Sequence, residues 1–172
     1  MITEVFTDPP IGSAGSPADQ WSADHANIVS ATLVADTLPG LFVTAGTADK
    51  TAELINDDDD VTLGLVVKQD HLATPSQIDA DGVIQSGVTV GIAKTGRFCV
   101  YINGEFGPGD PAYLRFTADT EGPVGSLQTT SDSGKNRLLP RGIVEFITSG
   151  EDEVGVIEIN TVLDANAGAA DS

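Results

Sequence analysis

The stretch Val88–Phe116, VTVGIAKTGRFCVYINGEFGPGDPAYLRF, constrains this chain more than any other. Val88, Val90 and Ile92 alternate with Thr89, Gly91 and Ala93. Phe98, Val100 and Ile102 alternate with Cys99 and Tyr101, and Ala112, Leu114 and Phe116 with Tyr113 and Arg115. Successive side chains of a strand point to opposite faces, so each set marks one buried and one wetter face. Gly96 and the run Gly107-Pro108-Gly109-Asp110-Pro111 separate the sets. These residues turn a chain, because they tolerate positive φ, fix φ or remove a donor. The pattern predicts three consecutive antiparallel strands at the middle of a β domain.

The rest of the chain extends the pattern. Ile28 to Val34 begins β alternation, Leu38-Pro39-Gly40 is a turn, and Leu41 to Val43 is a short strand. Residues Thr47 to Ile55 are the best helical candidate. Val61, Leu63, Leu65 and Val67 alternate with Thr62, Gly64 and Val66, which predicts a strand. His71 to Gly87 reads as a polar connection, and Thr117 to Asn136 as a long loop or loose hairpin. Ile143–Ile147 and Val154–Ile159 read as strands joined by a hairpin with a charged tip, Thr148 to Glu153. About eight short strands at turn-punctuated spacing predict an all-β fold, a single small barrel or sandwich.

The ends differ from the middle. Residues 1–27 are rich in Pro, Gly, Ser, Ala and Asp, with Ile2, Val5, Phe6, Ile11 and Trp21 as the large apolar side chains. Such a segment buries too little surface alone to offset its ordering entropy. It reads as either a flexible arm or an extended segment that orders on something else. Trp21, the one tryptophan, is either an anchor on a partner or a plug in the domain's own core. The division is an arm over 1–27, a β domain over 28–163 and a frayed tail over 164–172.

Charge and cysteine content narrow the function. Lys and Arg number 8 against 26 Asp and Glu, a net charge of −18. That field repels nucleic acid and anionic membrane surfaces. Cys99 is the one cysteine, which rules out an intrachain disulfide and a cysteine-based zinc site. Inside a strand it reads as a small hydrophobe. The N-terminus has no basic region followed by an apolar run, and no window approaches ~20 apolar residues. The expectation is a soluble protein made in a cytosol.

Candidate chemistry is sparse. Gly91 to Arg97 imitates the spacing of a phosphate loop, but Arg97 and Phe98 stand where Lys and Ser or Thr belong. The segment also joins two strands, whereas a phosphate loop opens a helix. Asp57 to Asp60, with Asp57 and Asp59 on one side, and Asp79 with Asp81 are weak candidates for a hard cation. Neither run completes a calcium loop, and consecutive residues of an extended chain point apart. His25 and His71 sit in polar segments without a nucleophile elbow or a two-histidine zinc motif. No cofactor and no catalytic set is expected. Arg97, Arg115 and Arg141 stand out against the acidic background as candidates for ion pairs with a neighbouring subunit or within the chain.

The order of blocks is familiar. Leu38-Pro39-Gly40-Leu41-Phe42-Val43 is followed by Thr62-Leu63-Gly64-Leu65-Val66-Val67, then by Val88-Thr89-Val90 and Thr95-Gly96-Arg97-Phe98-Cys99-Val100. Gly107-Pro108-Gly109-Asp110-Pro111-Ala112-Tyr113-Leu114 and Leu139-Pro140-Arg141-Gly142-Ile143-Val144 complete the series. Over residues 38–160 this resembles the structural cement, or capsid decoration, proteins of tailed bacteriophages. The resemblance implies a small β-barrel or sandwich without catalytic residues. It implies binding to the outer surface of the icosahedral head where major capsid protein subunits meet, commonly as a trimer. Phe6, Trp21, Arg97, Arg115 and Arg141 are then the candidates for contact with the capsid or another subunit. An extended arm can add a strand to a partner's sheet edge. The alternatives are an adhesive β domain that binds carbohydrate or calcium, and a hydrolase built on His25 or His71.

Overall fold

A computed structural model describes residues 12–69 and 74–164. One short helix, α1 (Gln20–His25), precedes eleven strands among the described residues. The first five are β1 (Ile28–Leu33), β2 (Phe42–Ala45), β3 (Thr51–Leu54), β4 (Thr62–Val66) and β5 (Thr89–Ala93). They close a barrel in the order β1-β3-β2-β4-β5, sealed where β5 pairs with β1. The other six are β6 (Thr95–Phe106), β7 (Tyr113–Arg115), β8 (Leu127–Gln128), β9 (Asn136–Leu138), β10 (Val144–Phe146) and β11 (Gly150–Asn160). They form an open sheet in the order β10-β11-β6-β8-β7-β9.

The alternation in the sequence is explained by two cores. Ala31, Leu33, Val43, Val66, Val90 and Ile92 fill the barrel. Phe42, Leu65 and Ala93 lie one residue out of step and pack with Phe98, Val100, Ile102, Leu114 and Ile157 of the open sheet. Strands β2, β4 and β5 are thus buried on both faces where they cross between the cores. This is why Phe42-Val43 and Leu65-Val66 are consecutive apolar pairs and not simple alternations.

Three expectations are corrected. The strands of 88–116 are not consecutive antiparallel neighbours: β5 belongs to the barrel and β6 to the open sheet, with Lys94 between them. Strand β8 lies between β6 and β7 and runs parallel to β6, pairing Ile102 with Leu127. A long loop therefore contains a strand that its polar sequence hides. The helical candidate over 47–55 contains strand β3 instead. Its four residues gain a parallel ladder to β1 and an antiparallel one to β2. Two ladders outweigh the weak helical bias of so short a stretch.

Residues 12–18 stitch the two sheets together. The Gly15 amide donates to the Cys99 carbonyl of β6 at 2.8 Å, and the Gly15 carbonyl accepts from the Lys68 amide at 2.9 Å. Pro17 bridges Phe98, and the Ala18 amide donates to the Arg97 carbonyl at 2.9 Å. This part of the presumed arm orders on its own chain. It also covers Cys99, which is 1% exposed although it lies on the outer face of β6. No described helix is long and apolar enough to cross a membrane.

Candidate functional site

Trp21 is the most exposed aromatic side chain among the described residues, with 64% of its surface open. Of its two readings, a plug in the core is thereby removed. Its position is nevertheless fixed. Asp19 caps α1, its carboxylate accepting from the Ser22 amide at 2.7 Å, which holds the Asp19 carboxyl below its usual range. Ser22 is fully buried and its Oγ accepts from the Arg97 amide at 2.9 Å. The indole stacks on the His25 ring, centroids 5.2 Å apart and planes 13° from parallel. A groove of about 470 Å³ beside it runs past Thr95, Arg97, Glu158 and Asn160.

The three arginines have three fates. Arg97 makes an exposed ion pair with Glu158 across the β6–β11 ladder, Nε to Oε2 at 2.9 Å. Arg115 is wholly buried, which takes it off the contact surface. Its guanidinium donates to Asp119 at 2.9 Å, to Gln128 at 2.7 Å and to Asp132 at 3.1 Å. Lys135 closes the network on Asp119 at 2.6 Å. That hydrogen bond is the main cause of a lowered Asp119 pKa and a raised Lys135 pKa. Arg115 thus spends its charge on shaping the 117–136 segment. Arg141 is exposed and forms no ion pair among the described residues.

The carboxylate runs behave differently from each other. A turn brings oxygens of Asp57, Asp58 and Asp59 within 4.8 Å of one another, contrary to the divergence expected of an extended chain. Their mutual contact lowers the Asp57 pKa and raises that of Asp58 through a shared hydrogen bond. Asp60 turns back and accepts from the Asn56 and Asp57 amides. All three clustered groups are exposed, and an exposed acidic cluster alone is no site. Asp79 accepts from the Asp81 and Val83 amides, so it builds its own loop. Phe6 and His71 lie outside the described residues.

Sequence reading missed one feature altogether. The open sheet ends in two unpaired edges, β9 and β10. Between them lies a cleft of about 900 Å³, lined by Pro108–Ala112, Leu138–Gly142 and Val144–Ile147. Leu138 is 56% exposed at its rim. The Asp164 carboxylate accepts from the Thr62 amide at 2.7 Å and from Arg137 at 3.2 Å, so the first residue of the expected tail is buried.

Comparison with known proteins decides the family. Residues 3–161 match the profile of the structural cement proteins, described by E217 gp24 and Pam3 gp6. The chain belongs to the phage structural cement protein family. A search of curated proteins found no match. Among solved structures, this cement-family chain is similar to a chain in the capsid of Myoviridae phage XM1, at 15% identity with a TM-score of 0.60. That match covers 93% of this chain and 97% of the other. The head fiber gp8.5 N base of bacteriophage phi29 aligns at 11% identity and a TM-score of 0.48, over 80% of this chain and 96% of that one. The XM1 likeness shows a shared fold. Membership in the cement family implies a structural role, association with a capsid and a place in the virion.

Proposed function

We propose that this chain is a non-enzymatic cement protein that binds the outer surface of the phage head between major capsid protein subunits and stabilises the shell. The family match over residues 3–161 carries the reading. An exposed tryptophan on a capped helix supports it, since Trp is enriched at the centre of protein interfaces. The charge of −18 sets the outer face of a shell apart from the genome side, where DNA phosphates would repel it. The chain works as a homotrimer. Repeated weak contacts on a symmetric lattice then reinforce one another. The test is cosedimentation of the purified protein with undecorated heads, followed by heating. Bound protein raises the temperature of genome release. Failure to bind cognate heads overturns the reading.

A further inference from the structure

The outer face of the open sheet carries an apolar band, although a sheet face left to water is ordinarily polar. Phe98, Val100 and Ile102 of β6 point into the core, so Arg97, Cys99 and Tyr101 point outward. Cys99 pairs with Val156 of β11, and Tyr101 with Val154. Ile147 follows β10 and donates to the Val156 carbonyl at 2.8 Å, which sets it opposite Val156 in the same row. Tyr101 is 50% exposed and Ile147 36%, with Val154 and Val156 half-buried. The neighbouring row of Arg97, Glu158 and Glu145 is charged. Residues 12–16 cover the Cys99 end of the band, and the rest of it stays partly open among the described residues.

We propose that Pro9, Pro10 and Ile11 of the same chain cover the rest of this band, with Ile11 seated beside Val154, Val156 and Tyr101. Residues 15–18 run along the edge of β6 opposite β11. A turn closed by the Ser16 amide on the Ser13 carbonyl, at 3.0 Å, lifts the chain off that edge. Gly12 then lies on the outer face, where a Cβ would meet the Cys99 sulfur at 3.3 Å. From edge to face, the upstream chain is headed for β11. Ile11 is one peptide from Gly12, so its Cα stays about 3.8 Å away, and β11 is about 4.8 Å from β6. Covalent continuity delivers the chain's own Ile11 to the band. The two prolines decide between face and edge. They carry no amide donor, so they do not extend a ladder, and their φ favours a polyproline helix. Such a helix needs no hydrogen-bond partner, and a sheet face offers none. Three of its residues span about 9 Å, which matches the two strand spacings, about 9.6 Å, from β6 to Ile147.

The test is disulfide capture in the full chain, without any shell present. In a Cys99→Ala background, Ile11→Cys is combined with Val154→Cys or with Glu158→Cys and treated with oxidised glutathione. Positions 154 and 158 flank Val156 symmetrically along β11, so a loose segment reaches both alike. The expected result is an intramolecular disulfide that forms about tenfold faster with Val154→Cys, at a rate independent of protein concentration. A second measurement needs no substitution in the core. Nitration of Tyr101 by tetranitromethane should be about threefold faster in a chain lacking residues 2–11 than in the full chain. Pro9→Ser with Pro10→Ser should fall between the two. Equal disulfide rates at 154 and 158, or equal nitration in the full and shortened chains, overturn the proposal. Disulfides that form only between copies overturn it in favour of a second copy's segment. Tyr101 protection that appears only on heads overturns it in favour of a capsid protein cover.

Discussion

Gly15 and Gly40 are packed so closely that neither has room for a side chain. A Cβ on Gly15 would meet the Gly40 nitrogen at 2.9 Å, and one on Gly40 would meet the Gly15 nitrogen at the same distance. Both have positive φ, +82° and +84°. This is where the N-terminal segment crosses the turn between β1 and β2 and clasps both sheets. Gly15→Ala and Gly40→Ala each carry backbone strain and a clash against main chain, so each is expected to cost about 1–3 kcal/mol in chemical denaturation. The buried Cys99 thiol reports the same event: it reacts faster with a disulfide reagent in either variant, because residues 12–16 no longer cover it. Unchanged stability and thiol reactivity would refute the clasp.

The second prediction concerns Arg115. Replacing it with Met keeps the stem but leaves Asp119, Asp132 and Gln128 facing an apolar end. Asp119 and Asp132 stay partly exposed and Lys135 stays on Asp119, so the cost is that of the lost charge-assisted hydrogen bonds, about 1.5–3 kcal/mol. The 117–136 segment should become the first site of proteolysis. Wild-type cleavage kinetics in the variant would count against the network's role.

Acidification should loosen the same segment. The Asp119 pKa is lowered in the folded protein, chiefly by the Lys135 hydrogen bond. Its contribution is present above the ordinary carboxylate value of 3.8 and is lost as pH falls through the folded value. The Lys135 pKa is raised, so its contribution is present below 10.5 and is lost as pH rises through the folded value. Protection of amides in 117–136, taken relative to their intrinsic exchange rate at each pH, should be greatest between these limits and fall on both sides. Asp119→Asn should flatten the acid limb. An acid limb that survives this change would assign it to another group.

Trp21 should separate binding from folding. It is exposed, so Trp21→Ala is expected to change stability by no more than about 0.5 kcal/mol. As an interface anchor it would be worth about 2 kcal/mol, near thirtyfold in affinity for heads. An Ala variant that binds heads as well as wild type would move the contact surface elsewhere.

Legibility followed the range of the forces involved. Strands β1, β4, β5 and β6 and the hairpin of β10 and β11 were readable because large apolar residues recur at alternate positions. Strand β3, with the sequence TAEL, was not, since its extended form comes from two ladders to distant partners. Nor was β8, two residues whose parallel partner is about 25 positions away. The division of β5 and β6 between sheets turns on the single residue Lys94, and alternation continues straight through it. At the candidate site, Trp21 was visible by type but not by exposure. The burial of Arg115 was hidden because Asp119, Gln128 and Asp132 look like ordinary members of a polar loop. The cleft between β9 and β10 was invisible, because an edge is defined by what does not pair with it.

The clasp at Gly15 has a mechanical consequence. Residues 15–18 run antiparallel to β6 and are bonded at Cys99, Arg97 and Lys68. A pull on the chain upstream of Gly12, directed along β6, loads these bonds side by side in shear and does not peel them one at a time. The load passes at once into the longest strand of one sheet and the exit of β4 from the other. Tension applied there would therefore strain the whole molecule before the segment slipped.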